Sequence, residues 1–253
     1  MFIISYDVAS KSLALSIIKF NDIWAQELQK IQTDFNSNSK LIKSGAQLCN
    51  LAIECINQIE NILNNLIVPL VFDVVDLIPG EKLKDTQPEL RASRLKSYLQ
   101  LIDYKYLNKL RTDNPEHTFK VLLEYQMGAN DKSRNVCSQL LYHYSTTDTK
   151  FKQTDITNST DYMGRITSTA YDIEIVGPSL KNKINFDKDK TMGFYTKKYA
   201  KKYDANKNHS KDNFLYWIRY WKLDKMIANI PKKNIDDIAD SVNMAIAWVF
   251  IKI

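Results

Sequence analysis

Carboxylates stand at three points where an apolar segment begins or ends: Asp7 in "FIISYDVAS", Glu124 in "KVLLEYQMGANDKSR" (residues 120–134), and the "DDIAD" cluster, 236–240, that opens an apolar run near the C-terminus. A carboxylate at the end of a core strand is costly to bury unless it is paired or binds a metal, so Glu124 asks for a partner. Asp237 and Asp240 are three residues apart, which on a helix puts them on one face about 60° from each other. Two like charges so close repel by roughly 4 kcal/mol at about 4 Å and an effective dielectric near 20, and a divalent cation removes that repulsion. Hard oxygen ligands without a His or Cys cluster favour Mg2+ or Mn2+ over zinc. Acids from three separate elements suit a two-metal phosphodiester site. Each acid also has a plainer reading. Asp236 or Asp237 alone fits a helix cap, accepting from free amides at the positive end of the dipole. Asp7 fits a turn cap, and Glu124 fits pairing with a buried Arg. Asp240, one turn into the helix and beside its apolar face, is harder to read as a cap.

The elements that must position these acids follow from periodicity. "FIISYDV" and "SLALSIIKF" read as two strands joined by a tight connection, short enough for an antiparallel hairpin. Residues 41–66 carry Leu48, Leu51, Ala52, Cys55, Ile56, Ile59, Ile62 and Leu63 at spacings of three and four, which predicts a long amphipathic helix. "PLVFDVVDLIPG" predicts a third strand closed by Pro79-Gly80, and 88–110 a helix opened by Pro88. "TFKVLLEYQ" is continuous in apolar character and predicts a strand buried on both faces. "NDKSRNVCSQLLYHY" predicts a helix capped by Asn130 or Asp131. "YDIEIVGPSLK" predicts a fifth strand, and the C-terminal run a helix whose apolar face is Ile238, Val242, Ala245, Ile246 and Val249. Three early strands followed by alternating helix and strand give a mixed α/β layout around one sheet. The expectation is a single domain, 1–253, with a helical insertion at 22–68 between strands 2 and 3.

At 253 residues, with 44% hydrophobic and 11% aromatic side chains, the chain can bury a sizeable core. The net charge of +6 is unevenly spread: between Lys181 and Lys211 stand ten lysines and only three acids, Asp187, Asp189 and Asp204. Phe186, Phe194, Tyr195, Tyr199 and Tyr203 are interleaved with them, as in grooves that bind nucleic acid. A solvated lysine-rich loop is the simpler account of such a run. Phe214, Tyr216, Trp217, Tyr220 and Trp221 follow at helical spacing, which fits core better than base stacking. Cys49, Cys55 and Cys137 are an odd number without metal-type spacing, which points to a reducing compartment. No apolar run reaches the roughly 18 residues of a membrane span, and no cleavable signal peptide is evident. The expectation is a soluble, intracellular protein with no membrane partner.

The segments "ISYDVASKSLALSII", "VLLEYQMGANDKSRNVCSQLL" and "KKNIDDIADSVNMAIAW", in that order, resemble the motifs of RuvC-like Holliday junction resolvases of the RNase H-like fold, particularly those of poxviruses and other large DNA viruses. The resemblance covers roughly 1–20, 70–145, 170–184 and 230–250. It implies a five-stranded mixed sheet flanked by helices. It implies that Asp7, Glu124, Asp237 and Asp240 hold two Mg2+ ions, with Mn2+ able to substitute. One ion would activate water for in-line attack on a DNA phosphate and the other would stabilise the leaving 3′ oxygen. It further implies a homodimer that cuts two opposed strands of a four-way junction. Within a host cell, a poxvirus-like member would work in the cytoplasm, at the site of viral replication, and any other member in the nucleus or cytoplasm. "VGPSLKNKI" matches the place of a functional lysine, making Lys181 or Lys183 the candidate. Lys132 and Arg134, in the loop-to-helix segment after Glu124, are candidate phosphate contacts, and Lys197, Lys198, Lys201 and Lys202 candidate DNA contacts in the basic extension, 181–225. Two departures stand out. Ala9 occupies a position that is usually Gly in the family, so the turn there must avoid any backbone conformation only Gly tolerates. The 22–68 insertion and the basic extension exceed the compact members.

Three other readings compete. A catalytically silent junction-binding protein would keep the fold and the basic face, but would have no need of clustered acids facing a phosphate backbone. A hybrid-cutting RNase H would share the metal acids and differ in substrate. A sugar-kinase or actin-like ATPase needs glycine-rich phosphate loops, and the six glycines are not grouped as one.

Overall fold

A computed structural model describes residues 1–42, 44–82, 84–125, 131–147, 152–154, 162–167, 170–185 and 190–252. Strands β1 (Phe2–Val8) and β2 (Ser12–Phe20) pair antiparallel, with Asp7 opposite Ala14. Their tight turn is closed by the Ala9 amide donating to the Ser12 carbonyl at 3.1 Å. Among the described residues Lys222 is the only non-glycine with positive φ, so Ala9 sits in backbone space open to any residue.

The insertion holds two helices rather than the one expected. The first, α1 (Asp22–Ser39), starts where Asn21 Oδ1 accepts from the Ile23 amide at 3.2 Å, and it has no fully buried residue. Only Trp24, Ala25, Leu28 and Ile31 lean partly on the core, which is why its apolar signal is faint in the sequence. The second, α2 (Gly45–Leu66), runs into β3 (Ile67–Asp76), which pairs antiparallel with β2. Phe20 and Ile67 are register partners, so the insertion leaves and rejoins the sheet at one point.

Pro79-Gly80 makes the expected turn, with Gly80 at φ 74°, a conformation in which a Cβ would be strained. Helix α3 (Pro88–Ile102) begins on its proline, passes through one π-helical turn (Asp103–Leu107), and continues as α4 (Asn108–Asp113). Strand β4 (Phe119–Glu124) pairs parallel to β1. Helix α5 (Asp131–Thr146) follows; the loop 126–130, with the candidate cap Asn130, lies outside the described residues. A hairpin of β5 (Lys152–Thr154) and β6 (Tyr162–Thr167) leads to β7 (Tyr171–Val176), which is parallel to β4. The five expected strands stand in the order β3-β2-β1-β4-β7, the expected mixed sheet, and the short hairpin extends its edge to give β3-β2-β1-β4-β7-β6-β5. The basic extension is largely helical: α6 (Met192–Lys198), α7 (Lys202–Tyr220) and the single turn α8 (Asp224–Ile227). Helix α9 (Ile235–Lys252) ends the chain.

Alternation along the strands sorts residues onto two faces. Phe2, Ile4, Tyr6, Val8, Val121 and Leu123 pack with α3 and α5 residues such as Leu95, Leu99, Val136 and Leu140. Ile3, Ala14, Ile18 and Leu122 pack with α9 and α7, where Ile238, Val242, Ala245, Ile246 and Val249 are buried as their spacing predicts. Phe214 and Trp217 also belong to this core, whereas Tyr216 and Tyr220 reach solvent. The α9 face carries a buried charge network unforeseen in the sequence. Lys120 Nζ donates to Asp172 Oδ2 at 2.5 Å and to Glu174 Oε2 at 3.1 Å, Trp248 Nε1 donates to Glu174 at 3.0 Å, and the ammonium lies 5.0 Å from the Trp248 ring.

Candidate active site

Ile3, Ser5 and Asp7 alternate onto the α9 face of β1, and Lys120, Leu122 and Glu124 onto the same face of β4. Tyr6 is the register partner of Leu123, so Asp7 and Glu124, the next residue of each parallel strand, emerge side by side at the strands' C-terminal ends. Both are buried. Immediately after the neighbouring β7, Pro178 and a single 3-10 turn (Leu180–Asn182) bring Lys181 over this edge. Its Nζ stands 3.4 Å from Asp7 Oδ1, 3.1 Å from Glu124 Oε1 and 2.6 Å from Asp240 Oδ2. Asp240 comes from the second turn of α9, where the apolar face anchors the helix against the sheet. Asp237, one turn earlier, accepts from Ser12 Oγ at 2.9 Å. All five residues line one open cavity of about 450 Å3, together with Ser133, Tyr203, Asn206 and Lys207.

The electrostatics follow from burial. Desolvation pushes Asp7 up to about 8, with Lys181 opposing and the Glu124 charge reinforcing it. Burial likewise raises Asp237, against the Ser12 hydrogen bond, and raises Asp240, against Lys181. Burial alone would lower the Lys181 ammonium, but Asp7, Glu124 and Asp240 overcome it and hold the group charged. Four carboxylates face one fully inserted cation, so the cluster is short of positive charge.

That shortage is the test of fit for a divalent cation. The donors are hard carboxylate oxygens, and additional cationic charge would offset the raised proton affinities of Asp7, Asp237 and Asp240. As the side chains stand, no three carboxylate, thiolate or imidazole groups among the described residues form a ready metal cage. The Lys181 ammonium lies between Asp7, Glu124 and Asp240. The residues fit the ion chemically, and Lys181 holds the place where positive charge is needed.

Of the two candidate lysines, Lys181 points in and Lys183 is exposed outside the cavity. Asp236 is turned away from the cluster, 3.6 Å from Lys207 Nζ and 3.2 Å from Lys211 Nζ. Lys132 and Arg134 flank the buried, cavity-lining Ser133 on the first turn of α5 without lining the cavity themselves, and Arg134 pairs with Asp131. Lys197, Lys198, Lys201 and Lys202 are exposed on the end of α6 and the entry to α7. Lys198 lies 5.3 Å from the Tyr199 ring. Sequence reasoning missed what α7 contributes. Tyr203, Asn206, Lys207 and Ser210 fall at helical spacing on one face of α7; the first three line the cavity and Ser210 Oγ bonds Asp240. A polar stripe of that period inside the lysine run was the available signal.

Residues 193–252, spanning most of α6, all of α7 and α8 and α9 as far as its last residue, match the family model described as "Poxvirus A22 protein". No curated protein matches the chain in sequence. Among solved structures, the fowlpox virus resolvase in complex with substrate Holliday junction DNA aligns with a TM-score of 0.45 and 14% identity, covering 100% of this chain and 99% of that one. RuvC of Thermus thermophilus aligns with a TM-score of 0.43 and 12% identity, covering 100% and 95%. Of the segments that carry the resemblance to poxvirus-type resolvases, the C-terminal one, 230–250 with Asp237 and Asp240, falls within the matched residues 193–252, which also hold Lys207 and Ser210.

Proposed function

We propose that this chain is a divalent-cation-dependent endonuclease that resolves four-way junctions in branched DNA, working as a homodimer. The observation that carries the reading is the convergence of Asp7, Glu124 and Asp240 around Lys181, with Asp237 beside them, in an open cavity at the C-terminal ends of parallel strands. The cluster opens to solvent through a cavity that Tyr203 and Lys207 of α7 also line. The family match over residues 193–252 supports the same reading.

In this reading Asp7, Glu124, Asp237 and Asp240 hold two Mg2+ ions, for which Mn2+ can substitute. Bound there, the ions would supply Lewis-acid activation of water and neutralisation of charge at the leaving oxygen. Ser12 keeps Asp237 facing the cavity, and Lys181 sets a positive charge where negative charge develops on the phosphate. Lys197, Lys198, Lys201 and Lys202, with Lys132 and Arg134, hold the backbone and orient the duplex arms. Opposed cuts on a symmetric junction need two such sites related by a twofold axis, which a homodimer provides. Three free thiols, Cys49 exposed among them, suit a reducing interior such as the host cytoplasm. No helix among the described residues is long and apolar enough to cross a membrane.

The test is cleavage of a synthetic four-way junction with Mg2+ or Mn2+, beside three-way, flap, linear duplex and RNA–DNA hybrid substrates. Asp7→Asn and Glu124→Gln are expected to abolish cutting while retaining junction binding. Binding without cutting by the unaltered chain points to a silent junction-binding protein, and preference for the hybrid to an RNase H activity; either outcome overturns the reading.

A further inference from the structure

We infer that Ser210 and Asn243 form a positioning relay that fixes the plane in which the Asp240 carboxylate faces the acidic cluster, an inference that rests on the nuclease reading above. Ser210 Oγ donates to Asp240 Oδ1 at 2.5 Å. Asn243 Nδ2 donates to Ser210 Oγ at 2.9 Å and to the Ser210 carbonyl at 2.7 Å. Ser210 is 1% exposed and Asn243 is fully buried, so water does not compete for these groups.

The chemistry leaves little freedom. A serine hydroxyl has one proton to give and two lone pairs to receive. The Asn243 amide occupies a lone pair, so the proton is aimed at Asp240. Asn243 is in turn held by two bonds to the same residue, which fixes its amide plane. Asp240 therefore has two distinct oxygens: Oδ1, held by α7, and Oδ2, which faces Lys181 Nζ at 2.6 Å. The terminal torsion of an Asp side chain is broad and poorly restrained on its own. Without the relay, the carboxylate of Asp240 can rotate out of the plane that aims an oxygen into the cluster.

The relay also couples elements. Asp240 and Asn243 lie three apart on α9, and Ser210 reaches them from α7, which carries Tyr203 and Lys207 into the same cavity. The position of α7 is thus read out at one ligand. Such partners of ligating carboxylates are worth about 10- to 100-fold in metal affinity or activity.

Ser210→Ala and Asn243→Ala, alone and combined, test this by calorimetric titration with Mn2+ in the absence of DNA. Gel-shift binding of a four-way junction in EDTA and thermal melting accompany it. Each single variant is expected to weaken Mn2+ binding by about 10- to 100-fold, the double variant no further than the weaker single, with junction binding in EDTA unchanged. Ser210→Thr, which keeps the hydroxyl, is expected to hold Mn2+ affinity close to that of the unaltered chain. If Ser210→Ala fails to fold, Asn243→Ala carries the same expectation, because it removes only the group behind the hydroxyl. Unchanged Mn2+ affinity in the folded variants, or losses that add in the double variant, overturn the relay. An unaltered chain that binds Mn2+ but cuts no branched DNA overturns the nuclease reading and leaves the relay judged by calorimetry alone. Absence of Mn2+ binding overturns both.

Discussion

Asp7 and Lys181 show how one residue's surroundings set its chemistry. Burial and the Glu124 charge hold the Asp7 carboxyl protonated up to about 8, against the pull of Lys181, whereas an unfolded aspartate ionises near 3.8. Between those values the folded state binds more protons than the unfolded one, so this contribution to stability is complete below 3.8 and is lost as pH rises towards 8. With divalent cations chelated, the slope is at most about 1.4 kcal/mol per pH unit. Asp7→Asn removes it, and the variant is expected to melt higher than the unaltered chain at alkaline pH; parallel curves for the two proteins in EDTA would sink the assignment. Lys181→Met is expected to lose about 3–5 kcal/mol in EDTA, because it leaves buried carboxylates unpaired. Lys183→Met, exposed, is expected to change stability by no more than about 0.5 kcal/mol. Urea unfolding of both variants checks this, and equal losses would contradict the geometry. The acids were legible in the sequence because carboxylates at the ends of apolar runs are conspicuous. The choice between Lys181 and Lys183 was not, since one 3-10 turn decides which side chain faces inward. Ser12 and Asn243 gave no signal, because Ser and Asn are ordinary surface residues until a fold places them beside a carboxylate, and Ser210 showed only as one position of the polar stripe on α7.

At the level of elements, segments with a clear apolar period were readable and segments without one were not. Strands β1, β2, β4 and β7, and helices α5 and α9, each bury a continuous face, and their period survives in the sequence, whereas α2 keeps its apolar period although, of its described residues, it buries only Ile62 and Leu66 fully and leaves Leu48 and Ile56 of the expected face exposed. Helix α1 buries no residue fully, so its period is faint, and α7 hides a buried stripe of Phe214, Trp217 and Ile218 under a lysine-rich surface. The β4 segment was read as apolar throughout, yet it carries Lys120, only 3% exposed. Lys120→Met is expected to destabilise the fold by about 3–5 kcal/mol by leaving Asp172 and Glu174 without their cation, measured by urea unfolding; a neutral or stabilising outcome would mean that the acids simply protonate. The α1–α2 hairpin invites a different experiment. Because Phe20 and Ile67 are register partners, their Cα atoms lie about 4.5–5.5 Å apart, and a short turn can replace residues 21–66. The shortened chain is expected to fold cooperatively but to lose about 3–6 kcal/mol, the contribution of burying Ile62 and Leu66. A chain that no longer folds at all would show the hairpin to be part of the core rather than an attachment to it.

Across the whole molecule, charge is divided between an acidic cluster that needs cations and a basic surface that would meet a polyanion. The +6 net charge is too small to mark a nucleic-acid protein by itself, and its distribution matters more. Lys197, Lys198, Lys201 and Lys202 are exposed where α6 leads into α7, and the first turns of α7 carry Tyr203 and Lys207 to the cavity rim. A phosphate backbone lying across that surface would be led towards the carboxylates, whose repulsion of phosphate the proposed divalent cations would cancel. Binding and cutting should therefore separate. Replacing the four lysines by Gln leaves the acidic cluster intact and leaves up to four phosphates without a lysine to neutralise them. The slope of log affinity against log salt should then shallow by up to about 3.6, at roughly 0.9 for each such phosphate on duplex arms. Cutting at saturating enzyme should persist, since none of the four lines the cavity. Gel-shift titrations across a salt series, paired with single-turnover cleavage, measure the two quantities on the same junction. An unchanged salt slope would place the DNA on another face, and loss of cutting despite saturated binding would mean that these lysines steer the scissile phosphate rather than merely hold the arms.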